Sequence, residues 1–243
     1  SNVNVNQDFQ FGIDWPWGNK TNGLTWRWII SPELISKTFI SNSYYRFNFN
    51  LGFDQKNTYT YSDSVIAVFQ NIDYNVFDKI NDNTIETEIT WKADDRHEIT
   101  SGFQFKDVSY DLGIGIGIET QDTVFNFSPL NLKNKTRETS LYVQDKISYS
   151  DKLKLQLGFR ATDYNLHNKI YMDPRIGIKY HYNSDLALKL NWGIYHQFLT
   201  TANNQDENLR LVELWMGIPA DKDASVSQHF ISGIELFLKN IYN

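Results

Sequence analysis

The chain has 243 residues, enough for one large domain, and 15% of them are aromatic, a high share for a soluble protein. Its formal net charge of −6 gives no basic surface for nucleic acid, and the lack of cysteine excludes thiolate metal sites and cysteine nucleophiles. No stretch approaches the ~18 consecutive apolar residues of a transmembrane helix.

Alternation of apolar and polar residues predicts a series of β-strands, because successive side chains of a strand point to opposite faces. In chain order the predicted strands are 8–14, 23–30, 36–53, 84–92, 98–106, 138–149, 152–162, 174–182, 186–195 and 228–238. The alternation is clearest at 152–162, where Leu153, Leu155, Leu157, Phe159 and Ala161 oppose Lys154, Gln156, Gly158, Arg160 and Thr162. Segments of about ten residues with one apolar face are typical of outer-membrane β-barrels, which face lipid on one side and the lumen on the other.

Two of the predicted strands carry unusual features. Within 36–53 the apolar face is Tyr45, Phe47, Phe49, Leu51 and Phe53, which we expect to meet lipid. Within 138–149, Asp145 falls on the same face as Leu141, Val143 and Ile147. We therefore expect Asp145 to lie at the membrane rim or at a β-bulge.

The connections between strands fall into two classes. Residues 31–33, 93–96, 150–151 and 183–185 are tight turns of turn-forming residues, whereas 54–83, 107–137, 163–172 and 199–227 are predicted to be longer polar connections. Short turns at one end of a sheet and long loops at the other are typical of outer-membrane barrels, with the short turns on the periplasmic side.

Two motif-rich stretches resemble the barrel of TonB-dependent outer-membrane receptors. The first is Glu138-x-Ser140-Leu141-Tyr142-Val143-Gln144-Asp145, followed by Leu153-x-Leu155-x-Leu157-Gly158-x-Arg160. The second is Asp173-Pro174-Arg175-Ile176-Gly177, followed by Leu188-Lys189-x-x-x-Gly193-x-Tyr195-x-Gln197-Phe198. The stretch from Glu213-Leu214-Trp215 to Ile231-Ser232-Gly233-Ile234-Glu235 is similar to a loop and returning strand in the Bacteroidota branch of that family.

The resemblance covers about residues 20–240 and implies energised import through a 22-stranded barrel. In that family an extracellular ligand binds over an N-terminal plug, which the TonB complex pulls through a short box. The implied cargo classes are siderophores, haem, cobalamin, glycans and peptides. The implied partners are TonB and outer-membrane lipid and, as in the glycan importers of the family, a surface lipoprotein. The resemblance implies neither an enzyme nor a cofactor.

The chain departs from this family in length and content. No plug-like segment and no TonB box are apparent, and about ten strands are predicted where the family has 22. A ten-stranded piece of a wider barrel has two open edges, which lipid does not tolerate. We therefore expect residues 1–243 to be the middle part of a receptor barrel domain.

Few residues suggest a binding site. Trp215, in a predicted loop, is a weak candidate for stacking against a ligand. His167, His196 and His229 lie near predicted extracellular ends, but no histidine pair has the spacing of a metal site and we expect no metal. The Gly113–Gly117 repeat lacks the lysine of a phosphate loop and predicts a strand. Asp/Asn-rich runs at 78–83, 203–208 and 221–223 are predicted to be solvated loops.

The inward wall is expected to be polar and charged. The residues predicted to face the lumen with a charge are Lys154, Arg160, Arg175, Lys179, Lys189, Glu86, Glu88 and Glu98. Such a wall could contact a plug or an anionic cargo, although any water-filled barrel has polar inner walls.

Two other protein classes remain open from the sequence. One is a complete small outer-membrane barrel that acts as a passive pore or adhesin. The other is a soluble β-sandwich that binds glycans through its aromatic residues.

Overall fold

The computed structural model describes residues 3–202 and 214–237, which are almost entirely β-strand. Within this part of the chain no helix is long and apolar enough to cross a membrane. The strands are β1 (Asn4–Asp14), β2 (Trp17–Ser31), β3 (Leu34–Thr60), β4 (Val65–Lys92), β5 (His97–Thr120), β6 (Val124–Ser148), β7 (Leu153–Tyr164), β8 (Ile170–His181), β9 (Leu186–Gln197), β10 (Leu199–Thr201), β11 (Trp215–Gly217) and β12 (Ser225–Leu236).

Ten of these strands form one antiparallel meander in the order β1-β3-β4-β5-β6-β7-β8-β9-β12, with β2 also paired to β3. β1 and β2 lie end to end along β3, separated at Trp15 and Pro16. Pro16 has no N–H to donate, but its carbonyl accepts the Asn48 N–H at 2.9 Å. The sheet is a single layer, not the two packed layers of a β-sandwich, and the ten strands agree with the predicted number.

The strands differ in length, and here the predicted loops at 54–83 and 107–137 are wrong. β3 to β6 have 24 to 28 residues, whereas β7, β8, β9 and β12 have 12 each. The long hairpins turn only at 61–64 and at 121–123. Given ~3.4 Å per residue, they project about 50 Å beyond the ends of the short strands.

The sequence predicts loops in place of the projecting hairpins because their outer face is rich in Asn, Asp and Gly. Those residues recur at every second position, as expected for one face of a strand. The backbone hydrogen bonds between β3, β4 and β5 therefore continue along the whole length of these strands. One outer-face example is the Asn71 amide, which donates to Asp54 at 2.5 Å. The ladder between β5 and β6 shifts register opposite Gly115, where Ser128 and Pro129 form a bulge. A bulge tolerates Pro129, which cannot donate a ladder hydrogen bond.

The four predicted tight turns, at 31–33, 93–96, 150–151 and 183–185, all lie at one end of the sheet, called the short-turn end below, and local side chains stabilise them. The Asp94 carboxylate accepts the N–H groups of Arg96 and His97 at 2.7 and 2.9 Å. The Asn183 side chain accepts the N–H groups of Asp185 and Leu186 at 2.9 and 2.8 Å. These are the backbone-mimicking bonds that make Asp and Asn frequent in turns.

The apolar face of β3 changes sides along the strand, which corrects the expectation for 45–53. Near the short turns Ile40 pairs with Ile85 on the outer face, and both are exposed. Further along, Tyr45, Phe47 and Phe49 point inward and pack in a core, where Phe47 is buried. Beyond the short strands the apolar side of β3 therefore faces the inside, because a docked segment of the chain covers it there.

Asp145 lies near the short-turn end and not at a bulge. The β6 register is regular on both sides of it. Its Oδ2 lies 2.7 Å from His97 Nδ1, so the outward carboxylate has a polar partner near the short-turn end. Of the two alternatives for this departure, the structure excludes the bulge, and the membrane rim stays a prediction.

Candidate functional site

The inward face of the sheet is polar over the part nearest the short turns. The predicted lumen residues of β4 to β9 all lie on this face. Directly paired residues share a face, and in the central strands Lys106 pairs with Glu138 and Glu138 pairs with Tyr164. Exposed apolar side chains such as Leu141, Leu157 and Ile176 lie on the other face. The alternation read from the sequence thus assigns the two faces correctly over these strands.

A hydrogen-bonded network occupies the middle of this wall. The Tyr142 hydroxyl donates to Glu86 Oε1 at 2.7 Å and lies 3.2 Å from Glu88 Oε2. The Gln104 amide donates to the other oxygen of Glu86 at 2.8 Å. Arg160 donates to Gln104 and stands over the Tyr142 ring. The network thus contains two carboxylates, one cation and two neutral hydrogen-bond donors.

The other charged lumen residues are not all brought together. Lys179 and Lys189 both reach Glu235 of β12, at 2.8 and 2.7 Å. Glu98 pairs with Lys146 at 2.7 Å, and Arg175 stacks over Tyr195 with 4.6 Å between the guanidinium carbon and the ring centroid. Lys154 has no side-chain partner within the described residues. The sequence predicted the polar wall but did not identify Glu235 as the carboxylate that Lys179 and Lys189 share.

The antiparallel pair of β10 and β11, called the hairpin below, docks on the inward face of the long strands. Leu214 and Met216 pack against a cluster that includes Phe47, Val76 and Leu112, the last of which is fully buried. β11 also contacts β5 and β6 directly. The β9–β12 connection therefore lies partly inside the lumen, where it covers apolar side chains that would otherwise meet water.

Asp78 fastens this hairpin to the wall. Its side chain is fully buried, and its Oδ2 accepts the Trp215 N–H at 2.6 Å. Within the described residues Oδ1 has no hydrogen-bond partner. Burial raises the pKa of Asp78 to about 6, and the bond from Trp215 offsets only part of that shift. The 78–83 run is thus in strand β4 and is not the solvated loop that was predicted.

A second cluster holds the base of the connection where the short strands end. Tyr164, Tyr171, Phe198, Ile218 and Ala224 pack together, and all are buried. The Tyr164 hydroxyl donates to the Ile218 carbonyl at 2.9 Å. His167 Nδ1 contacts the Tyr171 hydroxyl, and its Nε2 lies 3.0 Å from the Pro219 carbonyl. Burial raises the pKa of Tyr164, so it remains a neutral hydrogen-bond donor.

The three candidate histidines do not form a metal site. Both ring nitrogens of His167 are engaged, His196 Nδ1 lies 2.6 Å from Asp173 Oδ1, and the His229 ring stacks against Tyr195. No group of three potential metal ligands occurs among residues 3–202 and 214–237. The Asp/Asn run at 221–223 supplies Asp223, which pairs with Lys169, whereas 203–208 lies outside the described residues.

Trp215 begins β11 and is half-buried. Neighbouring side chains of a strand point to opposite sides, and Met216 points at the wall. The Trp215 side chain therefore lies on the side of β11 opposite Met216, the side that it shares with Gly217.

Comparison with known proteins identifies the family. The sequence model of the family described as "TonB dependent receptor-like, beta-barrel" matches residues 1–205. The chain belongs to this family. The resemblance stated from the motifs is therefore confirmed, whereas the Bacteroidota branch is not specifically supported. No curated protein matches the chain.

Solved structures of two siderophore receptors and of an outer membrane transporter are similar to this chain. The siderophore receptor PirA from Acinetobacter baumannii has a TM-score of 0.50 and 12% identity, over 96% of this chain and 42% of that chain. PirA from Pseudomonas aeruginosa has a TM-score of 0.47 and 13% identity, over 95% and 47%. The outer membrane transporter YddB from Escherichia coli has 0.45 and 10%, over 98% and 44%. This chain spans less than half the length of each.

The docked hairpin is the main feature that sequence reasoning missed in this receptor barrel. Its signal was Leu214-x-Met216-x-Ile218, a period-2 apolar pattern inside the predicted 199–227 loop. The sequence did not identify Asp78 as the residue that holds the hairpin, because an aspartate in an Asp/Asn-rich run is expected to be solvated.

Proposed function

We propose that the receptor containing this chain imports a nutrient ligand across the outer membrane of a Gram-negative bacterium, with energy supplied through TonB. Family membership and the solved relatives support this proposal. The observation that carries the lumen part is the β10–β11 hairpin docked on the inward face, with the half-buried Trp215 at the start of β11. The ligand belongs to one of the family's classes, namely siderophores, haem, cobalamin, glycans or peptides. A complete barrel of 22 strands, TonB and a lipoprotein lid are parts of the same proposal.

Energised import is tested by uptake of labelled probes from these five classes, in cells with and without the receptor. One class should accumulate above its external concentration, and a protonophore should abolish that accumulation. Uptake that only equilibrates, and that the protonophore leaves unchanged, would indicate a passive pore.

We propose that Trp215 contacts the ligand, since its side chain is only half-buried on the inward side of the sheet while its backbone N–H holds the hairpin. Trp215→Ala keeps the N–H that Asp78 accepts, so the hairpin should stay docked. We expect about tenfold weaker binding of the imported probe, as for loss of a central aromatic contact. Trp192→Ala, on the outward face, is the control. Equal binding by both variants at equal receptor amounts would remove Trp215 from the site.

The membrane position of the sheet gives a separate prediction. Leu141 points outward and is 63% exposed, within the part of β6 that pairs with the short strand β7. Leu141→Arg should destabilise the barrel by ~2–4 kcal/mol, because the charge would enter lipid. Gln144→Arg, on the lumen face of the same strand, should have little effect. The measurement is the heat-modifiable, folded receptor recovered from outer membranes, and equal recovery of both variants would contradict this placement.

A further inference from the structure

The outward face of the long strands becomes basic just beyond the level at which the short strands end. The last apolar row across this face is Leu24, Ile40, Ile85 and Phe105, which are paired in that order. Within residues 3–202 and 214–237, the next three rows across β2 to β6 carry six cations and two carboxylates, and we call these rows the basic band. Its cations are Lys20, Arg46, Lys79, Lys133, Lys135 and Arg137, and its carboxylates are Asp107 and Asp111. The chain as a whole carries −6, so the positive charge is a local feature of this face.

The two carboxylates do not neutralise the basic band. Its ion pairs are Lys133 with Asp111 at 3.6 Å and Lys135 with Asp107 at 2.8 Å. The two lysine side chains stay 74% and 63% exposed, and exposed ion pairs of this kind are weak. Arg46 and Lys79 lie directly opposite each other, and neither has a carboxylate partner in the part of the chain that the structure describes. Like charges at opposed positions of a sheet repel each other, so the band favours an external anion.

Part of the basic band forms a cavity of about 430 Å³ that is rich in hydrogen-bond donors. The outward residues that line it are Lys79, Lys133, Lys135, Tyr44, Asn81, Ser109 and Asp111. The Asn81 side-chain oxygen accepts the Asn42 amide at 2.8 Å, so the NH₂ group of Asn81 is left to donate. Three ammonium groups, two hydroxyls and this amide therefore share one cavity with a single carboxylate. Such a set of donors matches the acceptor oxygens of a phosphate group.

A second cavity on the same face, of about 610 Å³, lies toward the short-turn end from the first. Its apolar lining is the row Leu24, Ile40, Ile85 and Phe105, and its polar lining includes Asn42, Asn83 and Asp107. Leu24 and Ile40 are 68% and 48% exposed, so apolar surface is open to a bound molecule here. The apolar row lies ~14 Å along the strands from the row that contains Tyr44 and Lys135. An apolar chain that ends in a phosphate group matches this order of apolar row, amides and lysines.

We propose that the basic band binds a lipid of the outer leaflet whose head group carries phosphate. The phosphate contacts Lys79, Lys133 and Lys135, and the acyl chains lie along the apolar row next to the band. Basic pockets that adjoin a lipid-facing surface recognise anionic head groups in this way, whereas a free anion would gain nothing from the apolar row. The inference rests on the proposed position of the sheet in the outer membrane, which the pair Leu141→Arg and Gln144→Arg tests on its own.

The test is native mass spectrometry of the complete receptor in a non-ionic detergent, titrated with phosphatidic acid. Phosphatidylcholine, whose head group has no net charge, is the comparison lipid. We expect the receptor to retain phosphatidic acid in preference to phosphatidylcholine. Inorganic phosphate at the same concentration should not displace the bound lipid. Lys79→Gln should weaken the binding of phosphatidic acid about tenfold, as for loss of one hydrogen bond between charged groups.

Lys56→Gln is the matched control. Lys56 is exposed on the same face of β3, ten residues along the strand from Arg46 and away from the apolar row. Its substitution should leave lipid binding unchanged, and both variants should keep the heat-modifiable fold. Equal binding of phosphatidic acid by the two variants would overturn the proposal. Equal retention of the two lipids would also overturn it, because the head group would then not be recognised. Displacement by inorganic phosphate would mean a site for a soluble anion and not for a lipid.

Discussion

Gly217→Ala should release the β10–β11 hairpin from the lumen wall. A Cβ at this position would lie 2.5 Å from Thr136 Cγ2, 2.9 Å from the Tyr164 hydroxyl and 3.1 Å from the Tyr110 ring. All three residues are buried, so they have little room to move. Overpacking of this kind costs ~1–3 kcal/mol, which corresponds to a loss of docked hairpin of about 5- to 150-fold. Hydrogen exchange of the Trp215 N–H and neighbouring amides measures the docked fraction.

Gly233→Ala is the matched control for the hairpin. Gly233 also lies in a strand, β12, but a Cβ there would meet nothing within 4 Å. The same substitution should therefore leave hairpin protection unchanged. If the hairpin amides exchanged at the same rate in the Gly217→Ala and Gly233→Ala variants, the close contact of β11 with the wall would be disproved.

Asp78→Asn should strengthen docking at neutral pH and remove its pH dependence. Asparagine keeps an oxygen that can accept the Trp215 N–H but carries no charge, so burial no longer opposes docking. The pKa rises from 3.8 to about 6 in the docked state, and each pKa unit corresponds to ~1.4 kcal/mol. The expected gain is thus ~2–3 kcal/mol as an upper bound, measured by the same hydrogen exchange.

The direction of the pH effect follows from which state holds the proton more tightly. The docked state has the raised pKa, so between pH 4 and 6 it binds more protons than the undocked state. Docking of the unmodified chain should therefore be strongest below about pH 4. It should weaken as the pH rises to about 6, and stay constant above. Tyr110, whose pKa is raised to about 12 mainly by burial, does not titrate in this window.

Asp73→Asn is the control for charge on the same strand. Asp73 lies five residues along β4 from Asp78 and, by alternation, on the opposite face. Its substitution should leave docking and its pH profile unchanged. A wild-type profile in Asp78→Asn, or a flat profile in Asp73→Asn, would show that another group controls the docking.

The membrane-level part of the fold was predictable from the sequence, and the projecting part was not. Strands such as 152–162 and 186–195 have lipid on one side and water on the other, so polarity alone reveals their alternation. The long hairpins have water outside and a docked segment inside. Their polar residues imitate a loop, as at Asn71 and Asp73, and their apolar face is the inner one. Local composition therefore predicted loops at 54–83 and 107–137 where the ladder continues.

The sequence by itself determined the strand series, the two classes of turn, the inward and outward residues near the short turns, and the family. These depend on neighbours along one strand, which the sequence lists directly. Tertiary structure alone decided that Asp78 meets Trp215, 137 residues away, and that Glu235 is shared by two lysines. Such contacts depend on strand register and on where a long connection folds back. Neither leaves a periodic signal in the chain.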